Sequence, residues 1–352
     1  MRLFHLPPRE VAWERDISNI STPLNINIEI TLDPPELFGE AEFTDTLRAF
    51  PTDNGKDRTF KVSGNFFAGM GRLASEKPAR FQKFNYKGVF ANTPVEIIGN
   101  NAQIACVCLK VDDFYFFVQK IIEEFPSSFS CATNAPVSIS QIKGSANGIP
   151  FTVRMKFENM MDAAFKINDD FHAIMSSRLD KVLPECGNLP KQIVAAMRYL
   201  SQAFLLEFRS VYSYYFLSER MLNVCKAIES LTLDFGDKVD DMRKALRSWQ
   251  IHERYIDVFA SIRYLRSQLD IAHIAYSQLN SAAYNKIQKF LPIAEQCTQM
   301  LIISAIDQYK NQPNTYKDYI TKGEEPTVLK KLVDYESISL DNIDLKKSPS
   351  TQ

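Results

Sequence analysis

Residues 25–35, NINIEITLDPP, set the character of the N-terminal half. Ile26, Ile28, Ile30 and Leu32 alternate with Asn, Glu and Thr, the period of a strand with one face buried. Pro34-Pro35 ends it, because proline has no amide proton to give to a ladder. Further strands are expected over residues 59–67, 87–90, 95–98, 102–111 and 150–157. Turn formers separate them: Asn54-Gly55, Gly69 with Gly71, and Gly99-Asn100. Short strands at that spacing suggest a sandwich or a barrel. Residues 114–124, FYFFVQKIIEE, read either as a strand running into a helix or as a helix.

From about Glu158 the period changes. Met160, Met161, Ala164, Phe165, Ile167, Phe171, Ile174 and Met175 suit one helix face, and Pro184 with Gly187 breaks it. Pro190 suits the first turn of a helix running through IVAAMRYLSQAFLLEFRSVYSYYF, residues 193–216. Further helices are expected over residues 219–233, 238–250, 256–279 and 281–309. The expectation is an α+β chain. A β-rich domain over residues 1–150 precedes an all-α bundle over 158–310, and 311–352 forms a polar tail that frays.

The chain has 352 residues, 45% apolar and 12% aromatic, enough for two cores. A net charge of −1 excludes a uniformly basic nucleic-acid binder, not a local basic patch. Residues 243–266 hold six basic side chains (Arg243, Lys244, Arg247, Arg254, Arg263, Arg266) against Glu253 and Asp257, a local +4. That stretch reads either as a track for an RNA backbone or as a solvated helix surface. Six cysteines lie far apart except for Cys106 and Cys108, and one such pair falls short of a zinc site. Reduced thiols in a cytoplasmic protein are the expectation. No signal-peptide pattern opens the chain, and no apolar run reaches the roughly 18 residues of a membrane span.

Gly69-Met70-Gly71 lacks the rest of a nucleotide loop, and no serine has a nucleophile-elbow context. His5 lies in the first few residues, and His172 has Asp169 and Asp170 beside it but no further ligand at helical spacing.

The strongest chemical signal is LRSQLDIAHIAY, residues 265–276. Arg266 and His273 are seven apart, so a helix puts them on one face about 10.5 Å apart along its axis. Asp270 lies between them on nearly the same stripe. Cleaving an RNA phosphodiester requires a proton taken from the 2′-hydroxyl, charge stabilised on phosphorus, and a proton given to the leaving oxygen. A histidine near neutrality moves protons, and an arginine fork holds phosphate oxygens. Neither task calls for a metal or a cofactor. His252, just before that helix, is a candidate to line the same cleft.

LRSQLDIAH resembles the R-x(4–6)-H signature of HEPN domains, at its longest spacing. FLSERMLNVCKAIESL, residues 216–231, is similar to the Apea-like branch, in which a helix ending small-apolar-Glu-apolar-Leu precedes the charged stretch. Here that ending is Ala227-Ile228-Glu229-Ser230-Leu231. The order of helices matches over roughly residues 191–309, and a β-rich module before such a domain is common in that branch. The resemblance implies a metal-independent endoribonuclease acting as a toxin or antiviral defence effector. His273 moves the proton and Arg266 holds the scissile phosphate, with Asp270 and Ser267 in support. Arg263, Arg254 and Arg247 are candidate RNA contacts. It also implies a homodimer through the helical domain, and a trigger or antitoxin partner met by the N-terminal domain. Ser267 stands where active members often carry Asn, which keeps a non-catalytic, partner- or nucleic-acid-binding scaffold open.

Overall fold

β2 (Leu24–Asp33) anchors the sheet. Leu24, Ile26, Ile28, Ile30 and Leu32 are each at most 2% exposed, while the residues between them face outward or lie half-buried. The computed structural model describes residues 10–39, 46–48, 59–61, 83–154, 171–208, 216–232, 238–268 and 281–311. Every described residue lies within one compact unit, Met1–Pro313. The expected tail is therefore outside the described residues, apart from Asn311.

The remaining strands are β1 (Val11–Trp13), β3 (Thr46–Arg48), β4 (Thr59–Lys61), β5 (Asn85–Phe90), β6 (Thr93–Ile98), β7 (Asn101–Cys108), β8 (Ser138–Ala146) and β9 (Ile149–Val153). Seven form one antiparallel sheet in the order β1-β9-β8-β2-β7-β6-β5, and β3 pairs with β4 separately. Ala91-Asn92 and Asn147-Gly148 have positive φ at both positions, the two-residue turn whose twist suits a hairpin. Gly144 is needed where β8 meets β2, since a Cβ there would lie 2.1 Å from the Asn27 carbonyl oxygen.

The sheet's partner layer, among the described residues, is helix α1 (Val111–Thr133) rather than a second sheet. Phe114, Val118, Ile121, Phe125 and Phe129 repeat at helical spacing and are wholly buried. The 114–124 stretch is thus helical despite its β-forming aromatics, and the expected strand over 102–111 stops at Cys108. The Asp113 carboxylate accepts the Lys110 N–H at 3.1 Å and fixes the helix start. Asn134, left-handed at φ 54°, ends it.

α2 (Phe171–Val182), α3 (Lys191–Phe208), α4 (Leu217–Thr232), α5 (Val239–Ser248), α6 (Glu253–Gln268) and α7 (Ser281–Asn311) complete the described fold. The α+β class follows as the sequence predicts. α1 packs against β2, β7 and β8 and also against α2, α3 and α7, so sheet and helices meet through it. Met175, Leu179, Leu183 and Cys186 share one hydrophobic cluster with the sheet's buried face. No helix among the described residues is long and apolar enough to cross a membrane.

Glu124 lies where α1 meets the turn before α3, and its carboxylate accepts the Gly187 N–H at 2.7 Å. Burial raises its pKa, against the pull of that bond and of Lys120 and Arg198. A carboxyl raised in the folded state contributes fully below its unfolded value, and the contribution is lost as pH rises through the folded one. Glu124→Gln keeps an acceptor for Gly187 without the charge. Its urea midpoint should gain on the wild type between pH 4 and pH 7, where an ordinary Glu ionises near about 4.3; a gap independent of pH would refute this.

Candidate functional site

α4 and α6 pack together, and their contact carries the charged cluster. Arg263 and Arg266 are three apart on α6, so they share a face. Glu229 approaches that face from the last turns of α4, and both guanidiniums pair with its carboxylate. Arg263, Arg266 and Glu229 are 18%, 29% and 22% exposed, so all three are mostly removed from water. Two cations on one anion leave a surplus positive charge there.

Cys225, one turn before Glu229, points the same way and donates its thiol proton to Glu229 Oε1 at 3.6 Å. Burial raises the Cys225 pKa, although Arg266 and Arg263 pull it down. Burial also lowers the Arg263 pKa; the Cys225 side chain opposes that and the like charge of Arg266 adds to it. The Arg266 Nε is buried without a hydrogen-bond partner. The guanidinium is held by its end, with part of its donor fork unused.

His273 and Asp270 lie outside the described residues, as does the Ser267 side chain. The structure brings together Arg266 and Arg263 from the sequence reading and adds Glu229 as their shared partner. Glu229 belonged to the motif on α4, but its role had no sign in the sequence, because a contact across 37 residues leaves no local period.

Much of the basic stretch is paired. Arg247 holds Glu253 at 2.7 and 3.2 Å, Arg243 holds Asp257 at 3.1 Å, and Lys244 lies 3.8 Å from Asp241. Arg254 lies over the Tyr255 ring, 4.6 Å from its centroid. Both acidic residues of the +4 tally are thus engaged, and the surplus rests on Lys244, Arg254, Arg263 and Arg266. His252 accepts the Arg254 N–H at 3.3 Å from the start of α6. It precedes Arg266 by fourteen residues, about 21 Å along the axis.

His172 is structural. Its Nε2–H donates to the Leu37 carbonyl at 3.0 Å, and its ring packs on Phe84 and Phe171. Among the described residues no group of three or more His, Cys, Asp or Glu could hold a metal ion. No family model matches this chain, and no solved structure matches it.

Proposed function

We propose that this chain is a metal-independent endoribonuclease of the HEPN type, acting as a defence or toxin effector. The supporting observation is the mostly buried pair Arg263–Arg266 on α6, held by Glu229 of α4, with His273 seven residues beyond Arg266 in the sequence. In this reading the pair takes the nonbridging oxygens of the scissile phosphate, as guanidinium forks do. His273 removes the 2′-hydroxyl proton, and the 2′-oxygen attacks phosphorus. The 5′-oxygen leaves and takes a proton, giving a 2′,3′-cyclic phosphate and a free 5′-hydroxyl. Two copies face each other through the helical region, so that two Arg–His pairs build one cleft. The sheet region meets the trigger or antitoxin partner.

A second reading has its own support. Glu229 already occupies Arg266, and Arg243 and Arg247 are neutralised by their neighbours. A non-catalytic scaffold of the same type, binding a partner or nucleic acid, fits those pairings. One experiment separates the two: purified protein with total RNA in excess EDTA, the ends of the products mapped. The nuclease reading expects cuts with 2′,3′-cyclic phosphate ends. RNA left whole, with and without an extract of phage-infected cells as trigger, would favour the scaffold.

A further inference from the structure

The proposed nuclease leaves Cys106 and Cys108 unused. They are two apart on β7, where alternate residues share a face, and both look toward the buried side of the sheet. Cys108 is 8% exposed and Cys106 is half-buried. The two side chains therefore project side by side from one face of the strand, with the Cys108 thiol placed to hydrogen-bond the Cys106 sulfur. Cys131, Cys186, Cys225 and Cys297 are buried and lie apart from this pair in sequence. β6 pairs with β7 only as far as Ile104, so beyond it β2 alone, among the described residues, pairs with β7, with Ile26 opposite Cys106 and Leu24 opposite Cys108. The more accessible thiol therefore lies beside a gap in the ladder.

We propose that Cys106 and Cys108 form a redox-active dithiol, in which Cys106 attacks small disulfides and Cys108 resolves the adduct into an intrastrand disulfide. The environments of the two sulfurs divide the work. The bond from Cys108 lowers the Cys106 pKa, against burial. The same bond raises the Cys108 pKa, with burial and the charges of Cys106 and Asp113 adding to it. The bond thus favours the thiolate, the nucleophilic form, on Cys106 over Cys108. Cys106 thiolate attacks a disulfide RSSR, forming Cys106–S–SR and releasing RS⁻. The charge on Cys106 is then gone, and with it two of the causes that hold the Cys108 proton. Cys108 gives that proton to the released thiolate, its sulfur attacks Cys106 Sγ, and the second RS⁻ leaves and is protonated. Two electrons pass from the protein to RSSR, giving two RSH and one protein disulfide.

Strand geometry decides what kind of bridge forms. Residues two apart in a strand have Cα atoms about 6.7 Å apart, at the upper limit of about 6.8 Å for a disulfide. Closing the bridge must pucker β7 and work against its pairing with Leu24 and Ile26. A strained bridge is more easily reduced, which suits reversible modification rather than a permanent staple.

The test uses the full chain, reduced and then equilibrated in buffers of glutathione and glutathione disulfide, followed by alkylation under denaturing conditions and peptide mass mapping. The peptide holding both cysteines should lose both alkylation sites and two hydrogens in the oxidising buffers. It should regain them when reduced glutathione is restored, with Cys131, Cys186, Cys225 and Cys297 alkylated throughout. Cys108→Ser should instead accumulate a glutathione adduct on Cys106, and Cys106→Ser should leave Cys108 at least about tenfold less reactive than Cys106 is in the native protein. A peptide still doubly alkylated in the most oxidising buffer, or a different cysteine oxidised first, would overturn the proposal. The wild-type mapping decides this even where a serine variant fails to fold.

Discussion

Glu295→Ala is expected to destabilise the protein by about 3–5 kcal/mol, the cost of removing one partner from a buried ion pair. Arg220 on α4 and Glu295 on α7 are each 4% exposed. Arg220 Nη2 donates to both carboxylate oxygens, at 2.8 and 3.1 Å, and Nε reaches Oε1 at 3.3 Å. The alanine variant leaves a buried guanidinium without this carboxylate. Typical domains are stable by about 5–15 kcal/mol, so such a loss is a large part of the total. The pair need not stabilise the fold relative to apolar residues, because two charges were taken from water to form it. A double variant, Arg220→Met with Glu295→Met, should therefore recover most of the loss. Urea denaturation at neutral pH reads both. A single-variant cost below about 1 kcal/mol would mean that water reaches the pair.

What was legible in the sequence follows from how local each signal is. The alternation in β2 reports a strand buried on one face, because every second residue meets α1 or its surroundings. The breakers Pro184 and Gly187 fall between α2 and α3, as expected. β8 was missed although Asn147-Gly148 marks its hairpin, because SISQIKGSA mixes polar residues with a glycine and hides the alternation. The 114–124 stretch stayed ambiguous because its aromatics favour strands, whereas its burial stripe has helical spacing that only packing on the sheet reveals. At the candidate site, Arg266 is marked by its spacing from His273 and Arg263 by the local excess of basic residues. The coupling to Glu229 and the neutralisation of Arg243 and Arg247 are not marked, since each depends on how separate segments pack.

If the nuclease reading holds, Arg266→Ala should lower RNA cleavage by about 10²–10³-fold, as loss of one donor to a developing oxyanion does. His273→Ala should lower it by about 10²–10⁴-fold, the usual contribution of a positioned acid or base. Arg266→Lys keeps the charge but not the fork, so it should recover little of the loss. Glu229 makes the assignment sharper. Glu229→Gln keeps the side chain's size and removes the charge that holds Arg263 and Arg266 together. The freed guanidiniums should bind RNA more tightly at low salt, steepening the slope of log affinity against log salt by about 0.7 for each added phosphate contact. Cleavage per bound RNA should nevertheless fall, because the orientation of Arg266 is lost. Tighter binding with slower cutting is an outcome that a merely structural Glu229 would not produce, since loss of fold lowers both together. Cleavage unchanged in both Arg266→Ala and His273→Ala would remove the nuclease assignment. An uncut RNA whose salt slope still becomes shallower in Arg266→Ala would leave the arginine pair as a nucleic-acid contact of a scaffold.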